Sequence, residues 1–174
     1  LDLRDNPGGV LQPAIAIADG FLDEGLIATT RGRNESMQLE FQAQPGQWLP
    51  SVPVILLVDR GTASASEVLA GALQDHRRAL VVGEQTFGKG SVQSVIPLRN
   101  GGGIKLTTAR YYTPSGRSIQ AAGIRPDIVI DEGSYADASD HRVRESELDR
   151  HLDGEIIVRA SPDELSAGPL DFPM

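Results

Sequence analysis

The sequence predicts an α/β domain built around a parallel sheet with helices on its faces. Two apolar runs rich in β-branched residues, VPVILLVD (52–59) and ALVVGE (79–84), have the character of strands buried on both sides. A segment with the properties of a helix, Ser64–Arg77, lies between them. A strand, a helix and a second strand in this order form a crossover unit, whose two strands lie parallel in one sheet.

The remaining elements follow from the spacing of apolar residues. Val10–Leu22 has apolar residues at helical spacing, and Pro13 falls in the first turn, where proline is tolerated. The glycine-rich turn RNGGG (99–103) joins two of the predicted strands. The further strand candidates are LDLRD (1–5), GLIATTRG (25–32), MQLEFQA (37–43), TFGKGSVQSVIPL (86–98), GIKLTTARYYT (103–113) and IVID (128–131).

The chain changes character near residue 134. Residues 1–133 are predicted to form one core domain, and residues 134–174 an acidic C-terminal segment. The stretch from Ser134 to Glu155 contains seven acidic residues and three arginines, with only scattered apolar residues. We expect one short helix there, Arg144–Leu152, followed by a loose tail, and the whole segment is typical of a solvated surface.

Composition excludes several classes of function. The net charge of −8 argues against non-specific binding of nucleic acid, whose phosphates attract basic surfaces. The absence of cysteine excludes disulfides and thiolate metal sites, and no histidine or carboxylate set has the spacing of metal ligands. No apolar run approaches the roughly 18 residues that span a membrane. The chain shows no signal segment and opens at Leu1 within a predicted strand, so we expect it to be part of a longer protein.

The stretch GTASASE (61–67), at the junction of strand and helix, allows two interpretations. Ser64 and Glu67 have the spacing of a capping box, with Ser64 as the N-cap of the helix. Alternatively, Ser64 is a nucleophile, because open α/β sheets form their sites beyond the carboxyl ends of strands. Free N–H groups at the helix start can stabilise an oxyanion, and Ala63 and Ala65 leave room for a substrate.

A serine nucleophile needs a base, and the three histidines are poorly placed for this role. His76 lies at the far end of the helix from Ser64, and His141 and His151 lie in the acidic segment. A lysine can serve instead if burial lowers its pKa from about 10.4 towards neutrality. Of the two lysines, Lys105 lies in an alternating strand as an exposed or flanking charge, whereas Lys89 directly follows a buried strand.

The crossover returns Lys89 to the sheet edge at which Ser64 emerges, so the two residues can approach each other. Phe87 can supply apolar cover, and Gly88 and Gly90 permit close backbone contact. Taken alone, FGKG would be a turn with a solvated lysine. A phosphate-binding loop is disfavoured, because Gly83 is too early and Lys89 is followed by glycine.

Four stretches of the sequence form a recognisable series of motifs, in this order: LDLRDNPGG, VDRGTASASEVLAGALQDHRRALVVGEQTFGKGSVQ, YYTPSGRSIQ and GIRPDI. Together they resemble the carboxyl-terminal processing peptidases, also called tail-specific proteases. The resemblance covers Leu1 to about Asp131 and weakly the run RESELDRHL. These enzymes are serine endopeptidases with a Ser/Lys mechanism.

The resemblance implies a role for individual residues. Ser64 matches the nucleophile, Lys89 the general base, and Gln93 a glutamine that orients the lysine. The backbone N–H groups of Gly9 and Ala65 match the oxyanion hole. A further residue, Asp75, matches an acidic position that supports activity in some members, although it could equally be a surface residue at the helix end. No cofactor is implied.

The resemblance further implies a mostly parallel central sheet flanked by helices, similar to the ClpP/crotonase type. Its members usually carry an upstream PDZ domain that captures the free C-terminus of a protein substrate, and no part of these 174 residues resembles one. Bacterial relatives are exported, often to the periplasmic side of the inner membrane, and a homo-oligomer is compatible with this family.

Two alternatives remain open. The chain could be a non-catalytic, crotonase-like scaffold or binding module, in which Ser64 only caps the helix and Lys89 only occupies a turn. An acyl-CoA hydratase or related enzyme would rest on fold analogy alone. That activity would need carboxylates beside a thioester oxyanion hole, and the sequence offers no such pair.

Overall fold

The computed structural model describes residues 1–33, 38–130 and 143–155, which contain two helices and seven strands. The helices and strands, in chain order, are α1 (Leu11–Phe21), β1 (Leu26–Gly32), β2 (Leu39–Gln42), β3 (Val54–Val58), α2 (Ala65–Asp75), β4 (Ala79–Gly83), β5 (Ser91–Pro97), β6 (Gly103–Tyr112) and β7 (Ile128–Val129). Within these residues, no helix is both long and apolar enough to cross a membrane.

The predicted crossover unit is confirmed. Strands β3 and β4 pair in parallel along their full length, from Val54 opposite Ala79 to Val58 opposite Gly83. Strand β7 continues this sheet in parallel beside β4, giving the order β3-β4-β7. Helix α2 packs against β4, β1 and α1, and its residues from Ala65 to Leu73 are all buried. Small side chains in α2 permit this close packing on several sides at once.

The expectation of a mostly parallel sheet holds for only one of two sheets. Four strands form an antiparallel sheet in the order β2-β1-β6-β5. The cause is local, since β5 and β6 are joined by the short turn that begins after Pro97, and a short turn can only return the chain antiparallel. The α/β class is therefore correct, with a three-stranded parallel sheet beside a larger antiparallel one.

Two predicted strands are much shorter than expected. Residues 1–5 form only a parallel bridge, in which Leu3 N–H donates to the carbonyl of Leu57 at 2.9 Å, before Asp5 turns with φ +57°. The strand predicted from Thr86 begins at Ser91, because the preceding loop directs its N–H groups towards other partners. Part of the predicted strands at residues 37 and 131 lies outside the described residues.

The helix predicted at Arg144–Leu152 is wrong. The structure has a single 3-10 turn, Glu145–Glu147, and Leu148 is already extended at ψ 141°. Arg150 has a positive φ of 62°, which a helix cannot contain. Residues 143–155 are exposed or half-buried, as expected for a solvated surface, but Arg144, Glu145 and Glu155 also form hydrogen bonds to the core domain. The predicted loose tail lies outside the described residues.

Candidate active site

The parallel pairing of β3 and β4 brings Ser64 and Lys89 to the same edge of the sheet. Val58 and Gly83, the last paired residues, lie opposite each other, and the chain continues from them to Ser64 and Lys89. Both side chains are partly exposed. The sequence-based expectation that the two residues emerge at one edge is therefore met.

Ser64 stands at the N-cap of α2 in an unusual backbone conformation, with φ +57° and ψ −120°. Its carbonyl accepts the N–H groups of Glu67 at 2.9 Å and Val68 at 3.1 Å, which starts the helix. The Glu67 carboxylate returns to the Ser64 N–H at 2.8 Å, as in a capping box. Among the described residues the Ser64 hydroxyl forms no capping hydrogen bond, so it is left available for another role.

The Glu67 carboxylate connects the backbones of the two candidate residues. Its Oε2 atom accepts the N–H of Ser64 and the N–H of Lys89, each at 2.8 Å. Its Oε1 atom accepts the Thr86 hydroxyl at 2.5 Å and the Gly88 N–H at 2.7 Å. The carboxylate is fully buried. One side chain thus holds the start of α2 and the Lys89 loop (residues Thr86–Gly90) in a fixed relation.

Burial raises the pKa of the Glu67 carboxyl, and the four hydrogen bonds that it accepts act in the opposite direction. Four donors around two oxygens match the acceptor capacity of an ionised carboxylate. Sequence reasoning gave Glu67 only the role of a cap. One signal in the sequence could have indicated the further role of Glu67, which is the single charged residue within the run ASEVLAGAL (65–73).

The candidate oxyanion donors are the N–H groups of Gly9, in the NPGG loop, and of Ala65, directly after Ser64. Gly8, with φ +82°, packs so closely that a Cβ atom on it would lie 2.5 Å from the Ala63 carbonyl oxygen and 2.7 Å from the Ala65 nitrogen. The NPGG loop is tied to this turn by the bond from Ala63 N–H to the Asn6 carbonyl, at 2.9 Å. The N–H groups of Gly9 and Ala65 have no acceptor within the described part of the chain.

The side chains of Ser64 and Lys89 do not hydrogen-bond to each other. Within residues 1–33, 38–130 and 143–155, the Lys89 ammonium has no hydrogen-bond or ion-pair partner, although the Lys89 backbone is fixed. Gln93, on β5, is exposed, and its side chain makes no hydrogen bond in the same ranges. The structure therefore brings together the backbones of Ser64 and Lys89, and it shows no hydrogen bond between their side chains and Gln93.

Asp75 lies at the opposite end of α2 from Ser64. Its carboxylate pairs with Arg117 and accepts the Ser115 N–H at 2.9 Å, with only 9% of the side chain exposed. It anchors the loop after β6 to the helix. His76, at the same end, bonds through Nε2 to the Leu26 carbonyl at 2.6 Å.

The other candidate sites can also be placed. His151 bonds to the Leu148 carbonyl at 2.9 Å within the segment 143–155, and His141 lies outside the described residues. Lys105 lies exposed on β6. The described residues contain no group of three or more histidines and carboxylates that could hold a metal ion.

Comparison with known proteins agrees with the motifs. The profile of Peptidase family S41 matches residues 1–130. The chain belongs to peptidase family S41. The carboxy-terminal-processing protease of Bartonella bacilliformis is 52% identical over 156 residues, which are 88% of this chain and 36% of that protein. The carboxyl-terminal-processing protease of Synechocystis is 50% identical over 132 residues, 76% of this chain and 30% of that protein.

Solved structures extend the S41 comparison to the fold. A photosystem II D1 C-terminal processing protease superimposes with a TM-score of 0.71 at 41% identity, over 75% of this chain and 34% of that one. An S41 protease structure from Bacteroides fragilis gives a TM-score of 0.64 at 23% identity, over 78% and 38%. The chain thus spans about a third of the length of the two processing proteases and of the D1 processing protease.

Proposed function

We propose that this S41 chain carries the catalytic centre of a serine endopeptidase that acts on the C-terminal regions of proteins. The observation that carries the proposal is the buried Glu67 carboxylate, whose Oε2 atom binds both the Ser64 and the Lys89 N–H groups. Relatives of this chain are named carboxy-terminal-processing proteases. A Ser/Lys pair at this sheet edge is the arrangement that their activity class would need.

The proposed reaction begins with attack of the Ser64 hydroxyl oxygen on a peptide carbonyl. The Lys89 amine accepts the hydroxyl proton and then passes it to the amine of the leaving peptide. The N–H groups of Gly9 and Ala65 stabilise the oxyanion, an effect of about 3–4 kcal/mol for a donor of this type. The acyl group on Ser64 is released by water, whose proton Lys89 accepts. Gln93 is assigned the hydrogen bond that orients the lysine amine.

The test uses the full-length protein and an unfolded protein substrate with a defined C-terminal tag. Ser64→Ala, Lys89→Ala and Lys89→Arg should each lower kcat by about a thousandfold or more, since single removals in a catalytic unit cost this much. Arginine fails as a base because it does not lose its proton. Lys105→Ala removes the other lysine and should leave kcat unchanged. Full cleavage by Ser64→Ala or Lys89→Ala would refute the proposal.

A non-catalytic scaffold or binding module is the second candidate. It is favoured by one observation, the absence of a hydrogen bond between the side chains of Ser64 and Lys89, both of which are described. A resting peptidase can also show this separation, because catalytic hydrogen bonds often tighten only with substrate bound. The scaffold predicts that the full-length protein binds the tagged substrate without cleaving it.

The wider properties of the protein are proposals as well. We assign the parallel β3-α2-β4 unit to the ClpP/crotonase type, because the serine follows its first strand. The proposed substrates are proteins or peptides with accessible C-termini. An upstream PDZ domain of the same protein would present them to the catalytic centre. A homo-oligomer of the protein is compatible with this arrangement. The negative charge disfavours nucleic acid. We place the protein in the periplasm or another exported compartment, with association to the inner membrane.

A further inference from the structure

Residues 143–155, here called the strap, lie against the loop that carries Lys89. The Arg144 guanidinium donates to the Thr86 carbonyl at 3.3 Å and to the Ala122 carbonyl at 3.0 Å. The adjacent Glu145 N–H donates to the Phe87 carbonyl at 3.1 Å. The strap therefore binds two successive carbonyl groups of the Lys89 loop, on the chain immediately before Gly88 and Lys89.

The opposite side of the Lys89 loop is bound by the core domain. Glu67 accepts the N–H groups of Gly88 and Lys89, and the Thr62 carbonyl accepts the Phe87 N–H at 3.0 Å. The core thus binds the N–H groups from Phe87 to Lys89 and the Gly88 carbonyl, which accepts the Ala121 N–H at 2.8 Å, whereas the strap binds the carbonyls of Thr86 and Phe87. Because peptide groups are planar, holding both kinds of group fixes the orientation of the chain that precedes the lysine.

Gln120 links the strap to the far end of the same loop. Its fully buried carboxamide accepts the Gly90 N–H at 3.1 Å, and donates to the Glu145 carboxylate at 3.1 Å and to the Leu152 carbonyl at 3.0 Å. A Cβ atom on Gly90 would lie only 2.3 Å from the backbone nitrogen of Gln120. The loop and the strap are therefore coupled through one side chain, with no space between Gly90 and Gln120 for an independent shift.

The strap is fastened at its other end as well. The Glu155 carboxylate accepts the Tyr112 hydroxyl at 2.7 Å and lies 3.6 Å from the Arg110 guanidinium. Both partners lie on β6, which pairs with the strand that follows the Lys89 loop. A segment held at Arg144 and at Glu155 is part of the folded domain, although its acidic composition is typical of solvent-exposed chain.

We propose that the strap is a positioning element for the lysine base, and that Arg144 is its main positioning residue. The inference rests on the proposed function, in which Lys89 carries out the proton transfers. The Arg144 guanidinium donates one hydrogen bond to the loop, at Thr86, and a second to Ala122, so it fastens the strap to both segments. When Arg144 is removed, the Thr86 carbonyl loses this donor and the Glu145 N–H is no longer held against the Phe87 carbonyl, so Lys89 leaves its position relative to Ser64. Substrate binding is unaffected.

Arg144→Ala in the full-length protein tests the proposal, with β-casein as the unfolded substrate. We expect kcat to fall about tenfold or more, because small misplacements of a reacting group cost up to about a hundredfold. The KM should stay within about twofold, and Arg144→Lys, which keeps one donor to the loop, should recover part of the loss. Arg150→Ala removes the same charge from an exposed residue of the strap and should retain wild-type kcat.

Hydrogen exchange supplies a readout that does not depend on catalysis. In Arg144→Ala, amide exchange should accelerate at residues 86–91 and stay unchanged in α2. Three results would each overturn the proposal. They are unchanged exchange at residues 86–91, a fall in kcat in Arg150→Ala equal to that in Arg144→Ala, and a uniform acceleration of exchange across the domain. If Lys89→Ala proved active while the loop exchange still responded, the proposed chemistry would fail, and the strap would hold the loop without positioning a base.

Discussion

At Ser64 the backbone adopts φ +57° and ψ −120°, a region that residues with a Cβ atom rarely occupy. Such a conformation costs about 1–3 kcal/mol and persists only where the surroundings impose it. Here the Glu67 carboxylate holds the Ser64 N–H, and the Ser64 carbonyl starts α2. The strained backbone places the serine beside the N–H of Ala65, which has no acceptor among the described residues.

Replacing Ser64 by glycine should therefore stabilise the domain while abolishing cleavage. Glycine adopts positive φ without penalty, so Ser64→Gly should unfold with a free energy about 1–3 kcal/mol higher than Ser64→Ala. Urea unfolding measures the difference. Ser66, within the first turn of the helix, provides the control, because there glycine should be about 1 kcal/mol less stable than alanine. The same sign at both positions would contradict strain at Ser64.

Glu67 is the second residue on which the site depends. Glu67→Gln places an amide where four donors meet, so at least one buried N–H or hydroxyl group loses its acceptor. An unsatisfied buried donor costs about 1–3 kcal/mol, and the Lys89 loop should separate from α2. We expect lower unfolding free energy together with a loss of kcat.

The matched control for Glu67 is Glu84→Gln. Glu84 makes a surface ion pair with Arg60 at 3.0 Å, and such pairs contribute about 0–1 kcal/mol. Comparable destabilisation by the two substitutions would show that the burial and hydrogen bonding of Glu67 have no special effect.

At the scale of elements, the NPGG loop and the start of α2 form one packed unit. Gly8→Ala would add a Cβ atom within 2.5 Å of the Ala63 carbonyl oxygen, at a φ of +82°. The loop must move, and Gly9 moves with it away from Ala65. We expect kcat to fall about a hundredfold, as when one oxyanion donor is removed.

Gly116→Ala separates backbone strain from steric conflict. Gly116 has the same φ of +82°, but nothing lies within 4 Å of an added Cβ atom. Its substitution should reduce stability slightly and leave kcat intact. If both variants lost cleavage equally, the close packing of Gly8 on the serine turn would not be the cause.

Local patterns predicted much of the fold and the location of the site. The crossover unit was predictable because β3 and β4 are continuous apolar runs and α2 lies between them. In the antiparallel sheet, the glycine-rich turn predicted that β5 and β6 are neighbours, but the pairing of β1 with β6 was not predictable, since it joins segments far apart in sequence and periodicity does not report such pairings. The helix prediction for residues 144–152 was wrong for a related reason. Arg144 and Glu155 are ordered by partners in the core, which the composition of the segment does not reveal.

The role of Glu67 shows the same limit within the site. The spacing of Ser64 and Glu67 correctly indicated a helix start. Nothing in the spacing indicates that the same carboxylate also binds Gly88 and Lys89, because those contacts arise only when β4 returns beside β3. The positions of Ser64 and Lys89 were predictable from motifs, whereas the way they are held required the tertiary structure.

For the molecule as a whole, the attachment of the strap should give stability a dependence on alkaline pH. Burial, together with the bond to Glu155, raises the pKa of Tyr112 from 10.0 to about 12 in the folded state. The stability that this group contributes is fully present below pH 10 and is lost as pH rises through about 12. The unfolding free energy of the wild type should therefore fall more steeply between these values than that of Tyr112→Phe.

Urea unfolding of both proteins at pH 9, 10 and 11 measures this effect. The difference in unfolding free energy between them should shrink steadily with pH. A constant difference over the range would mean that the Tyr112 phenol titrates at the same pH in the folded and unfolded chains.

The Glu67 carboxylate contacts positions 64 and 89 only through their main-chain N–H groups. The architecture of the centre is thus independent of which side chains stand at these two positions. A full-length protein with Ser64→Ala or Lys89→Ala should therefore keep the wild-type structure, and should hold bound substrates without cleaving them. Under the proposed function, such a variant with an affinity tag would serve as a substrate trap that identifies the natural substrates.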